Sequence, residues 1–240
     1  MMKLTPVQEL EAAIRDLPAN PEPYLAIVLL YLEQGRDYDA ERLLLKGAAA
    51  TGDARVRFQR EELTMARLAR SLAVAQQHAE ASGTPESQAV LKQALDERDR
   101  VELEIFAERC EREPSAAAMR YQYGLRLKRA GKLEQAQKQF EAALHEPQQQ
   151  PAAALELGEC QRQIDNIPEA LRYYRLAADA AALPDQLETK KRALWQAVGL
   201  VTRIKLGKLA QRYLSELARV DPLYGEAAPA ATTPNPSAET

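Results

Sequence analysis

The chain has 240 residues, 46% of them hydrophobic but only 5% aromatic, so Ala and Leu carry the apolar share. That length allows one large or two small domains, and a composition rich in Ala, Leu, Glu, Gln, Arg and Lys is the helix-forming set. A formal charge of −3 and a pI near 5.7 argue against a general nucleic-acid or membrane-surface binder, which would be basic.

The first residues, MMKLTPVQELEAAIRDL, carry charges every few positions and no apolar core, so no signal peptide is expected. No run of about 18 apolar residues occurs, so no membrane span is expected and the protein is placed in the cytoplasm. The two cysteines, Cys110 and Cys160, form no CxxC pair and read as free thiols in a reducing compartment.

No segment alternates apolar and polar residues as a strand would. Helical spacing recurs throughout, punctuated by Pro and Gly. It predicts helices over 6–17, 22–34, 37–50, 54–81, 85–112, 115–130, 133–146, 151–164, 167–181, 185–205 and 208–220. Thr84-Pro85 reads as an N-cap with proline at the first helical position, where the missing N–H costs nothing.

In chain order, 1–53 reads as an N-terminal capping helix and a first helical hairpin. Over 54–113, Phe58, Met65, Leu68, Leu72, Ala75 and Ala79 follow three- and four-residue steps. Leu91, Ala94, Val101 and Ile105 make a facing seam interrupted by Arg98. The spacing predicts a long antiparallel helical hairpin, coiled-coil-like, turning at Gly83-Thr84-Pro85. Over 114–224 three further hairpins are expected. The last residues, 225–240, are small, Thr- and Pro-rich and read as a disordered tail.

A 34-residue grid runs through the second half. Gly124 maps to Gly158, Ala136 to Ala170, Phe140 to Tyr174 and Ala143 to Ala177. A pair of short helices cannot bury its own apolar face and must stack on the next pair, which produces such a period. Small residues at 124 and 136 let the helices of one unit cross closely, small Ala143 admits the next unit, and Phe140 is expected to fill the wedge between units. The segment 21–54 fits through Tyr24, Tyr31, Gly35, Ala40 and Leu44, departing at Val28 and Gly47. A weaker copy at 191–224 shows Leu194, Ala210, Leu214 and Leu217, with Ala210 40 residues after Ala170, a surplus read as longer helices.

These positions, together with Tyr123-Gly124, Gly131-Lys132-Leu133 and Leu157-Gly158, resemble the tetratricopeptide repeat. The resemblance implies an all-α, right-handed solenoid of about four helical hairpins, here with the long hairpin of the atypical middle third inserted. It also implies a non-catalytic adaptor or scaffold that binds a partner peptide or helix in a groove lined by the first helices of successive units. Carried over unit by unit, the groove residues are Leu25, Leu29, Leu32 and Glu33; Tyr121, Leu125, Lys128 and Arg129; Leu155, Glu159, Arg162 and Gln163; and Arg192, Trp195, Thr202 and Arg203. Lys128, Arg129, Arg162, Arg192 and Arg203 are expected to converge along one wall near Tyr121 and Trp195. Arginines grip carboxylates bidentately and aromatic anchors carry hot spots, so an acidic peptide or helix is the expected ligand. The Lys and Asn clamp with which some members hold a C-terminal carboxylate is not expected, because Leu and Tyr stand at its positions.

No motif for catalysis, nucleotide or metal binding occurs: His78 and His145 lie far from any ligand spacing, and no GxxxxGK[ST], GxGxxG or GxSxG is present. No cofactor and no enzyme activity are expected, nucleic acid is disfavoured, and protein is the expected partner. A second expectation is self-association, through the long hairpin or through an uncovered C-terminal helix 208–220 presenting Leu209, Tyr213, Leu214, Leu217 and Val220.

Overall fold

The computed structural model describes residues 5–222; the expected tail at 225–240 lies outside them. The described residues form eleven α-helices and one 3-10 turn, with no β-strand among them. They are α1 (Pro6–Asp16), α2 (Pro21–Glu33), α3 (Asp37–Thr51), α4 (Ala54–Ser82), α5 (Pro85–Arg112), α6 (Ala117–Arg129), α7 (Leu133–Ala143), α8 (Gln150–Gln163), α9 (Ile167–Ala180), α10 (Leu187–Arg203) and α11 (Gly207–Val220), with the 3-10 turn at Pro184–Gln186. The chain divides into two compact units, Met1–Ile105 and Phe106–Thr240. The division falls inside α5, whereas the sequence placed its boundaries at 53 and 113.

Helix starts follow their capping chemistry. Thr5 and Gln8 form a capping box, each side chain bonding the other's backbone N–H at 3.3 and 2.9 Å. Asp53 accepts from the Arg55 N–H at 2.7 Å at the start of α4, and Thr84 accepts from the Ser87 N–H at 3.2 Å at the start of α5.

In the first unit α1 packs on α2, where Ile14, Tyr24 and Ile27 close a small core. A second cluster joins Val28, Ala40, Leu44, Val56 and Leu63. Here the two departures from the grid compensate. Val28 and Leu44, both fully buried, stand where the later units have Gly124 and Phe140. The ring bulk has moved to the first helix, where Tyr24 lies on Gly47 so closely that a Cβ there would sit 2.8 Å from the ring. The inward seam of α4 runs through Val56, Leu63, Leu68, Leu72, Ala75 and Ala79. Phe58, expected in that seam, is 47% exposed instead, because Val56 takes the inward position of the first turn. On α5, Leu91, Ala94, Val101 and Ile105 are half-buried, and the interrupting Arg98 pairs with Asp99 at 2.6 Å.

The second unit begins with the end of α5. Phe106 is buried there with the Arg126 guanidinium 4.1 Å above its ring. Three hairpins follow, α6–α7, α8–α9 and α10–α11, each helix packing on its neighbours. A Cβ on Gly124 would lie 2.5 Å from the Phe140 ring, and one on Gly158 2.6 Å from the Tyr174 ring. The aromatic therefore seats on the glycine of its own hairpin. The contact that the structure shows for Phe140 is thus within its own hairpin, on Gly124 and beside Tyr121, and not the wedge between units that the spacing suggests. In the last hairpin Val198 and Leu214 replace that pair and join a core with Leu194, Leu200, Val201, Ala210, Tyr213 and Leu217. The 40-residue step arises because α9 is three residues longer than α7 and α10 three longer than α8.

Four turns share one geometry. Gly35, Gly131, Asp165 and Lys205 have φ of 69°, 74°, 58° and 61°, and each stands five residues before the buried Ala40, Ala136, Ala170 or Ala210. After each, the next N–H returns to the carbonyl five residues back: Arg36 to Tyr31, Lys132 to Leu127, Asn166 to Gln161, Leu206 to Val201, at 2.8–2.9 Å. This paired 6→1 and 5→2 closure satisfies the orphan carbonyls of each first helix and fixes where the second helix leaves.

Candidate partner-binding groove

The first helices of the last three hairpins, α6, α8 and α10, form the candidate wall. Helix α8 lies against both others and also against α7 and α9, so every residue from Ala153 to Cys160 is buried. Leu155, expected to face a ligand, is 2% exposed and belongs to the core with Tyr174, Ala193 and Leu194. With neighbours on all sides, the middle of α8 has no free apolar face to offer.

Its two carboxylates are buried as well, and each holds a cation. Glu156, 7% exposed, receives Lys128 Nζ of α6 at 2.6 Å. Glu159, 8% exposed, receives Arg162 Nε and Nη2 at 3.2 and 2.8 Å. Coulombic gain and desolvation nearly offset each other in such pairs, so they position side chains more than they stabilise the fold. Arg203 reaches across to Asp165 at 2.8 Å, tying the end of α10 to the turn after α8. Arg129 is exposed, and Arg192 is exposed with no ion pair or hydrogen bond among the described residues.

Tyr121 of α6 is half-buried, its ring 5.9 Å from that of Phe140. Burial pushes its hydroxyl up, the Glu156 carboxylate adds to this, and Arg192 pulls the other way. The Tyr121 hydroxyl of α6 thus feels one charge from each of the two following first helices, Glu156 of α8 and Arg192 of α10. Leu125 is half-buried and Trp195 is 40% exposed. In α2 of the first unit, Leu25 and Leu32 lean into the core while Leu29 and Glu33 are exposed.

One residue of this wall, Glu156, escaped the sequence reading, and the burial of Tyr174 of α9 behind it carries a cost that the spacing did not show. Glu156 sits inside the run Ala152-Ala153-Ala154-Leu155-Glu156-Leu157, where a lone acidic residue among core positions was the available signal. Tyr174 is fully buried, and no atom completes a hydrogen bond with its hydroxyl, although the charges of Glu159 and Arg162 act on it. Burial first, then the Glu159 carboxylate, pushes that hydroxyl far up.

Both cysteines pack as small apolar groups. Burial pushes the Cys160 thiol up to about 11 and raises Cys110 as well, so neither is a thiolate at neutral pH. Among the described residues no three His, Cys, Asp or Glu side chains gather as a metal site would, and no helix is long and apolar enough to cross a membrane.

No protein-family model matches the sequence, and no curated protein matches it. Solved structures do match. The chain is similar to residues 41 to the end of MamA from Desulfovibrio magneticus RS-1, with 15% identity, a TM-score of 0.53, and 85% of this chain and 96% of that one covered. It is equally similar to the C-terminal part of a TPR repeat-containing protein from Cytophaga hutchinsonii, with 12% identity, a TM-score of 0.53, and coverage of 92% and 93%. The fold is that of the tetratricopeptide-repeat proteins. At such identities the likeness is one of fold. The tetratricopeptide hairpin needs only a few small and aromatic contact positions, and those are what this chain keeps.

Proposed function

We propose that this tetratricopeptide-repeat chain is a non-catalytic, cytoplasmic adaptor or scaffold whose second unit binds an acidic peptide or helix along α6, α8 and α10. One observation carries the reading: Arg192 stands exposed on the helix of Trp195, its charge felt at Tyr121, with no carboxylate partner among the described residues, whereas Lys128 and Arg162 are already held by Glu156 and Glu159. A pre-formed helical wall leaves the ordering cost to the ligand segment. The test is a peptide array probed with the wild-type chain and with Arg129→Glu/Arg192→Glu. These exposed positions are chosen because reversing Lys128 or Arg162 would strand a buried carboxylate. Acidic peptides should lose about tenfold or more in affinity, the scale of a hot-spot charge. Undiminished binding would remove the assignment.

A second reading, self-association, rests on the first unit. We read α4 and α5 as the long hairpin; a cavity of about 540 Å³ lies along them, lined by Val74, Ala75, Val90 and Ala94 together with Arg67 and Arg70. Val74 is 65% and Val90 50% exposed. The C-terminal helix supports self-association less, since Tyr213 and Leu217 are buried in their own unit and Leu209, Leu214 and Val220 pack against the same core.

A further inference from the structure

The interior helical glycines fall into two kinds. Gly47, Gly124 and Gly158 each lie under an aromatic ring, and glycine is there because a side chain would collide. Gly199 of α10 is different: a Cβ there would meet nothing within 4 Å. Glycine in a helix interior costs backbone entropy, and at Gly199 no packing within the chain compensates for it.

Its surroundings give the notch a character. Trp195 precedes Gly199 by one turn, Arg203 follows it by one turn, and Arg192 lies one turn before Trp195. All four are exposed, so they share one stripe of the helix. The stretch Arg192–Arg203, RALWQAVGLVTR, contains no acidic residue. Arg203 is matched by Asp165, which leaves Arg192 as uncompensated charge beside an aromatic surface.

We propose that the open notch over Gly199 receives an aromatic side chain of an extended acidic peptide, seated beside Trp195, while a peptide carboxylate pairs with Arg192. The proposal rests on the groove reading above and names its specificity. An aromatic fits because ring-on-glycine is the complementarity this chain already uses at Gly124–Phe140 and Gly158–Tyr174, and because a ring beside Trp195 gains stacking in addition to burial. An acidic flank fits because Arg192 offers a planar fork to a carboxylate.

Trp195 is the only tryptophan of the chain, so its fluorescence reports on the notch directly. The probe is the blocked pentapeptide Glu-Asp-Phe-Glu-Asp, compared with the same peptide carrying Ala for Phe and with its all-Lys counterpart. Titrated into the full chain, the acidic Phe peptide should shift Trp195 emission, the Ala peptide should bind about tenfold more weakly, and the Lys peptide should not bind. Gly199→Leu fills the notch without a clash and should leave the thermal midpoint no lower, or raise it through the gain in helix propensity, while weakening the Phe peptide by about tenfold or more. Arg192→Ser should weaken the Phe and Ala peptides alike and flatten the salt dependence. Equal binding of the Phe peptide to wild type and Gly199→Leu, or no binding to wild type, would overturn the notch. The array with the doubly reversed variant decides the groove reading separately.

Discussion

Glycines 124, 158 and 199 all lie on first helices, yet they face opposite consequences on substitution. Adding a methyl at Gly124 or Gly158 drives a ring carbon to about 2.5–2.6 Å, and neither fully buried ring has room to retreat. Gly124→Ala and Gly158→Ala should each cost about 1–3 kcal/mol in urea unfolding, as overpacking does. Gly199→Ala should instead stabilise by up to about 1 kcal/mol, the helix propensity difference, because open space surrounds it. Cys160 offers a second residue-scale test. Its thiol keeps its proton to about 11 when folded, whereas an exposed thiol loses it near 9.0. The folded state therefore binds the extra proton between these values, and its stability should decline as pH rises from about 9 towards 11. Cys160→Ala should flatten that decline in denaturation curves taken across the range, and the native thiol should resist alkylation at pH 8 until the chain unfolds. At this scale the small positions were legible in sequence, because a glycine that returns after 34 residues marks a helix crossing that returns with it. Their partner was not: nothing in the order of residues says whether Phe140 meets Gly124 or the next unit.

Helices in this chain are joined by a turn that recurs four times, with glycine in only two copies. Asp165 and Lys205 adopt the left-handed conformation without being glycine, and a side chain there is strained. Lys205→Gly should therefore stabilise the chain by about 1 kcal/mol, read as a higher urea midpoint. Asp165→Gly should gain less, because it also loses the bond from Arg203. A turn chosen by backbone geometry but occupied by Asp or Lys hides from pattern reading, so the third and fourth turns were recognisable only through their neighbours. Elements are also tied by charge: Arg175 of α9 donates to both oxygens of Glu216 on α11 at 3.0 and 2.8 Å. Burial pushes the Glu216 carboxyl up, but Arg175 and Arg212 outweigh it and hold the carboxyl below its usual value of 4.5. The pair's contribution is thus present above about pH 4.5 and lost as the carboxyl protonates below it. Arg175→Ala should cost about 0.5–1 kcal/mol at neutral pH, less in high salt, and less again once Glu216 is protonated and only the exposed Asp179 pair remains to be lost.

The molecule as a whole comprises two units built from the same kind of hairpin but offering different surfaces. The second unit buries the middle of α8 completely and leaves α10 with an exposed stripe. The first leaves apolar residues along α4 and α5. Because α11 is covered by its own unit, light scattering at tens of micromolar should return the mass of a single chain. A dimer that Val74→Asp and Val90→Asp dissolve would favour the self-association reading instead.

By itself the sequence determined the helical class, the position of nearly every helix and the stacking of hairpins. These follow from local propensity, from proline and capping residues at helix starts, and from a contact grid whose period equals two helices and two turns. Only the tertiary structure decided which charges remain available. Lys128 and Arg162 look like ligand-facing cations until Glu156 and Glu159 are seen to hold them, and Gly199 looks like another packing glycine until the space above it proves empty. Burial and charge pairing depend on residues brought from other helices, and a one-dimensional pattern carries the spacing along each helix without the identity of what lies across from it.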